Sequence, residues 1–324
     1  MRILSALLLA IAVPVFMGSG PRSTDKSPGN KTLFEVIRSG SSDALEAILA
    51  KGADANDTLD GYSALMAAAL NGSSDQMKIL INHGAKVDYA DAGGLTALWF
   101  SVPDPDKMKL LLERGANPQL PSAEKYTVLT KLAGIPGTVG QCQLLIDHGA
   151  DPKKSGPDNM LLYNAASSCD TAVLGLLLRF GLNANDTISS GDYPINAALN
   201  YHCFSSVKML VEHGANVNVR PMSFTLDPMN GITPLMFAAG DGDRPCFYYL
   251  LDHGADPNLR SKNGYTALMY LEQSERDEPE MTLALIKHGA SASYRKPDGD
   301  DALALAKKKG NTKSAEILRK YMSQ

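Results

Sequence analysis

The sequence predicts an all-α solenoid of about nine helix-turn-helix units with projecting turn loops, and three observations predict it. A phrase reading His-Gly-Ala or a close relative recurs at Gly52, Gly84, Gly115, Gly149, Gly181, Gly214, Gly254 and Gly289, with successive spacings of 32, 31, 34, 32, 33, 40 and 35 residues. A second phrase keeps the same beat: Ser63-Ala64-Leu65-Met66, Thr96-Ala97-Leu98-Trp99, Thr127-Val128-Leu129, Tyr193-Pro194-Ile195, Thr233-Pro234-Leu235-Met236 and Thr266-Ala267-Leu268-Met269, with weaker copies beginning at Thr32, Met160 and Asp301. The third is size. At 324 residues and 44% hydrophobic content, the chain can bury a large core, yet it exceeds the roughly 250 to 300 residues over which one central core keeps growing. A quasi-linear fold needs no such core.

The N-terminus comes first. Met1-Arg2 precedes a mostly apolar run from Ile3 to Met17, followed by Gly18-Ser19-Gly20 and a stretch rich in Ser, Pro and Lys. A basic start, a short apolar core and small residues are the layout of a secretory signal. As a helix the run would reach about 22 Å, short of the roughly 30 Å hydrocarbon core, and Pro14 interrupts it. A cleaved signal over residues 1–20 is therefore expected in preference to a permanent anchor, with a disordered linker over 21–30 and the repeat domain over 31–324. No later apolar run approaches membrane length, so no membrane contact is expected of the mature chain.

Each unit then reads physically. After the Thr position a short helix carries small residues, as in Ala67-Ala68-Ala69 or Ala238-Ala239, which permit close helix contact. Gly40, Gly72, Gly137, Gly242 and Gly310 mark the inter-helix turns, where a left-handed backbone comes easily to glycine. A second helix places apolar residues seven, four and three positions before the recurring Gly, as in Met77, Leu80 and Ile81; these offsets line one helical face. The Gly ends that helix, and Asp, Asn and Pro build the turn after it.

This unit resembles the ankyrin repeat, with its period of 33 residues and Thr-Pro-Leu-His-x-Ala signature. Thr233-Pro234-Leu235-Met236-Phe237-Ala238-Ala239 with Asp252-His253-Gly254-Ala255-Asp256-Pro257-Asn258 matches it most fully, although Met66, Trp99, Met236 and Met269 stand where the signature has His. The ends are polar, as a solenoid requires: Ser41, Ser42 and Asp43 open the second helix of the first unit, and the last unit carries Lys307, Lys308, Lys309, Lys313, Glu316, Arg319 and Lys320. The long spacing after Gly214 predicts an enlarged loop near 219–230 containing Met222, Phe224, Leu226 and Met229. Such an apolar loop either meets a partner or folds back over its own core.

Candidate chemistry dissolves once it is put in register. His83, His148, His213, His253 and His288 each precede the repeat Gly, where an imidazole can meet the last carbonyls of a helix. They are about one helix spacing apart, too far to share a zinc ion. His202 alone is out of register and reads as a turn residue. Cys142 occupies the buried slot seven before its Gly, Cys246 is one residue off it, and Cys169 and Cys203 fall near the turns of adjacent units, leaving a disulfide between them open. Gly134, Gly137 and Gly140 follow no strand and read as a helix-to-helix turn rather than a phosphate cradle. The sequons at Asn56, Asn71 and Asn185 lie in turns where Asn is expected in any case.

The expected function is therefore a non-catalytic protein-binding scaffold, a monomer without cofactor or metal, acting in a periplasm or outside a cell as an adaptor or an immunity-type inhibitor. The alternatives are an accessory subunit of an exported enzyme and an intracellular scaffold anchored by its apolar start. A net charge of −4 with scattered Lys and Arg gives no nucleic-acid footprint. The resemblance implies binding through loop tips and the concave face of the first helices. By phase, that assigns Tyr62, Tyr126 and Tyr265 before the Thr position, Leu70, Asn71, Tyr201 and Asp241 beyond the Ala pair, and Met222 and Phe224 in the enlarged loop.

Overall fold

The computed structural model describes residues 28–221 and 231–322. The proposed signal over 1–20, most of the 21–30 linker, and Met222, Phe224, Leu226 and Met229 lie outside the described residues.

Among the described residues, eighteen α-helices pair into nine units. The first is α1 (Pro28–Ser39) with α2 (Ser42–Ala50), and the second is α3 (Ala64–Asn71) with α4 (Ser74–Asn82). There follow α5 (Ala97–Phe100) with α6 (Pro105–Glu113), α7 (Val128–Ala133) with α8 (Val139–Asp147), and α9 (Met160–Ser167) with α10 (Thr171–Arg179). The last four are α11 (Pro194–Asn200) with α12 (Phe204–Glu212), α13 (Pro234–Asp241) with α14 (Arg244–Asp252), α15 (Ala267–Gln273) with α16 (Pro279–Lys287), and α17 (Ala302–Lys309) with α18 (Thr312–Met322). First helices pack on first helices of neighbouring units and second on second, and the described contacts join elements of the same or adjacent units. The only ladder of strands among the described residues is the hairpin Thr58–Leu59 with Tyr62–Ser63.

The core follows the sequence phase. Met77 and Leu80, Met108 and Leu111, Cys142 and Leu145, Leu174 and Leu177, Val207 and Leu210, and Phe247 and Leu250 are all fully buried at seven and four residues before their Gly. Each Leu, Val, Met or Phe among them contributes about 1.5–3 kcal/mol of apolar burial. Cys246, one residue off the slot, is also buried and free, as is Cys142.

Helix starts show how Met replaces the signature His. Ser63 Oγ accepts from Met66 N at 3.2 Å while Ser63 N donates to Met66 Sδ at 3.4 Å. Thr233 and Met236 repeat this at 3.3 and 3.4 Å. The thioether is a weak acceptor, yet it closes a reciprocal capping box.

The turns hold one surprise. Gly40, Gly137, Gly242 and Gly310 are left-handed, with φ of 78°, 81°, 75° and 80°, but Gly72 has φ −90° and is extended. Glycine is required there for space: a Cβ would stand 2.9 Å from Ala68 Cα. In units five and six the left-handed position belongs to Cys169 (φ 60°) and His202 (φ 55°).

Two rows of polar contacts run along opposite edges of the solenoid. On the loop side, the amide four residues after the repeat Gly reaches into the next unit. Asn185 Nδ2 donates to Gly214 O at 2.8 Å and its Oδ1 accepts from Asn216 N at 2.7 Å. Asn56, Asn218 and Asn258 make the same pair of bonds to Gly84 and Lys86, to Gly254 and Asp256, and to Gly289 and Ser291. On the turn side, Gln76, Lys107 and Gln141 donate to Ile37 O, Ala69 O and Val102 O of the preceding unit at 3.1, 3.0 and 2.8 Å. Farther along that edge Cys169 and Cys203 form a disulfide with Cα atoms 5.1 Å apart, and His202 Nδ1 faces Asp241 and Asp243 at 3.5 and 3.6 Å.

Candidate binding surface

The first helices form the inner layer of the solenoid, and its floor is set by one position of the repeat, the x of Thr-Pro-Leu-His-x-Ala. That position holds Ala67, Phe100, Lys131, Tyr163, Ala197, Phe237 and Tyr270 in units two to eight. Leu, Met and the Ala pair on either side of it point into the core, so helical geometry leaves x toward the open side, except in unit six, where Ala197 is fully buried. Lys131, Tyr163, Phe237 and Tyr270 are half-buried there, and Phe100 is nearly covered.

The residue before the Thr position leans onto this floor. The ring of Tyr62 meets Phe100 edge-on, with centroids 5.6 Å apart. Tyr265 lies 5.4 Å from Tyr270, accepts from Gln273 Nε2 at 3.4 Å, and carries the Lys296 amine 3.9 Å from its ring centre. Asp192 takes the same place in unit six and accepts from the Tyr163 hydroxyl at 3.1 Å. Tyr126 is half-buried, and burial first, then the carboxylates of Asp158 and Glu124, raises its phenol above the usual range. The result is a strip of amphipathic rings with polar tips, which offers contact area at small entropic cost.

The sequence-assigned residues divide between two edges of this layer. Tyr62, Tyr126 and Tyr265 stand at the loop edge beside the strip. Leu70, Asn71, Tyr201 and Asp241 stand at the far ends of α3, α11 and α13, about 10 Å away along a helix of seven or eight residues. Asn71 and Tyr201 are exposed, Leu70 half-buried. Asp241 belongs to the turn-side row, its carbonyl accepting from Arg276 at 2.6 Å. The x-position rings went unassigned by sequence reasoning, although the repeat register alone locates them.

The charged groups of the layer are few. Lys131 lies 5.6 Å above the Trp99 ring, and burial lowers its ammonium pKa. Trp99 sits where Met66 and Met236 offer a sulfur acceptor; its own Nε1–H is a donor, buried without a partner among the described residues. The repeat histidines turn inward to their helices: His148, His213, His253 and His288 place Nδ1 2.7–2.9 Å from carbonyls four residues back. Among the described residues no three His, Cys, Asp or Glu side chains are grouped to hold a metal, and no helix is long and apolar enough to cross a membrane.

Comparison with known proteins agrees with this architecture. A family model described as ankyrin repeats (3 copies) matches residues 33–122 and 222–293, together half of the chain. The putative ankyrin repeat protein YahD of Escherichia coli is 30% identical over 195 residues, covering 58% of this chain and 92% of that protein. Human ankyrin repeat and SOCS box protein 6 is 33% identical over 153 residues, 45% of this chain and 35% of that protein. The mouse B-cell lymphoma 3 protein homolog is 28% identical over 205 residues, 61% of this chain and 43% of its own length. The chain thus spans well under two thirds of these two mammalian relatives.

Proposed function

We propose that this chain, which belongs to the ankyrin-repeat family, is a non-catalytic scaffold that binds another protein along its concave aromatic strip after export, as an adaptor or as an inhibitor of the immunity type. The strip carries the reading. Tyr163, Phe237 and Tyr270 recur there half-exposed beside the core, and a partner surface would gain apolar contact by covering them. The ankyrin family works generally through protein-protein contact.

Export is supported by the sequence of residues 1–20 and is compatible with the Cys169–Cys203 bond, which suits an oxidising compartment. The test is mass spectrometry of the mature N-terminus from fractionated native cells, together with proteins that co-purify. A processed N-terminus with a partner lost on Phe237→Ala and Tyr270→Ala agrees with the proposal. An intact N-terminus in the cytoplasmic or membrane fraction would replace it with the anchored intracellular scaffold.

A further inference from the structure

At the centre of the strip three polar side chains meet and leave acceptors unused. Asp192 Oδ1 accepts from Tyr193 N and from Asn196 Nδ2, both at 2.9 Å. Asp192 Oδ2 accepts only from the Tyr163 hydroxyl, at 3.1 Å. A carboxylate offers about four lone-pair positions, so one on Oδ2 stays open. Asn196, whose amide nitrogen donates to that carboxylate, keeps its own Oδ1 buried and without a partner among the described residues. Among those residues Asp192 forms no ion pair with Lys, Arg or His, and Asn196 Oδ1 accepts no hydrogen bond. Such a site is costly as it stands: burial raises the Asp192 carboxyl pKa against the pull of its three donors, and an orphaned buried acceptor keeps the cost of leaving water.

Everything unpaired here is an acceptor, which selects the ligand. A partner carboxylate would add a further acceptor, and an apolar side chain would leave both oxygens unpaired. A cation brings donors only, and a guanidinium brings five in a planar fork able to reach two oxygens on different side chains. Its stem would lie against the Tyr163 ring, with the exposed Tyr201 nearby. We propose that the partner inserts an arginine side chain, with lysine the weaker substitute, between Asp192, Asn196 and Tyr163, flanked by apolar residues seated on Phe237 and Tyr270. This rests on the concave-strip reading and adds to it the chemistry of the bound segment.

The experiment selects a random-peptide display library on the immobilised full chain and measures the recovered peptides in solution. Expected are peptides enriched in arginine whose affinity falls at least tenfold when that arginine becomes citrulline, which has the same shape without the charge. On Asp192→Asn the same change costs less than threefold, so the coupling belongs to the pair and does not depend on the variant's stability. Peptides that weaken on Phe237→Ala but show neither arginine enrichment nor coupling overturn the proposal and leave the strip reading standing. Recovery of no peptide sensitive to Phe237→Ala or Tyr270→Ala overturns both.

Discussion

The side-chain amide of Asn185 holds Gly214 O and Asn216 N of the following unit at 2.8 and 2.7 Å. One side chain thereby satisfies an acceptor and a donor that end the next repeat's second helix. Asn185→Ala leaves both to water, at about 1–2 kcal/mol for the pair of exposed bonds. In a one-dimensional array this loss falls on the junction between units five and six. Urea unfolding should lose about that amount, and amide exchange should quicken around residues 214–216 before it does in units one and two. The same bond occupies Asn185 Nδ2, and Gly84 O likewise occupies that of Asn56, so folded protein should resist glycosylation at both sequons.

The disulfide joins adjacent turns across a sequence separation of 34 residues. Closing a loop of that size restricts the unfolded chain by about 3–4 kcal/mol in the chain-entropy model. Cys169→Ser with Cys203→Ser should therefore lower the melting temperature of the non-reduced protein by several degrees and remove its response to reductant. Cys142 and Cys246 are buried and burial raises their thiol pKa values, so only one bridge should be detected by intact mass.

Glu272 should make the C-terminal junction weaken as pH rises. Its carboxyl is buried, its pKa pushed by burial to about 7 from 4.5 although Thr282 and Asn311 donate to it. The folded state therefore holds a proton that the unfolded state releases. That contribution is fully present below about pH 4.5 and lost as pH rises through about 7. Glu272→Gln should match the natural protein at pH 4 and exceed it by about 1–3 kcal/mol at pH 8, measured by urea melts at both values. A natural protein whose margin over Glu272→Gln grows between pH 4.5 and 7 would reverse the assignment.

Two glycines with similar φ should respond differently to alanine. Gly94 (φ 74°) lies where the next loop crosses, and a Cβ would meet Ala123 N and Pro121 O, both at 2.9 Å. Gly214 (φ 84°) has nothing within 4 Å of that position. Gly214→Ala should cost about 1 kcal/mol of backbone strain. Gly94→Ala should cost clearly more, because backbone must move, and thermal melts of the two variants give the order.

The fold was legible because its punctuation is periodic: the recurring Gly fixes where each second helix ends, and the apolar residues seven and four before it then fall in the core. The inner strip was harder to see. Tyr163, Phe237 and Tyr270 look like core residues in a helix of apolar neighbours, and only the register shows that their position is half-open, while Phe100 at the same position is in fact buried. The turn-side row was invisible in part because its partners are backbone carbonyls and because Cys169 and His202 adopt a conformation expected of glycine. The amide ladder was readable as turn-forming Asn, while its reach into the next unit depends on stacking that no local pattern encodes.

The central claim is that the concave strip, and no other face, meets the partner. A photo-crosslinking amino acid placed at Phe237 or Tyr270, and as a control at the exposed Lys208 on the outer helix α12, tests it in native cells. The account predicts one discrete adduct from Phe237 and Tyr270 and none from Lys208. An adduct formed from Lys208 but from neither inner position would contradict it.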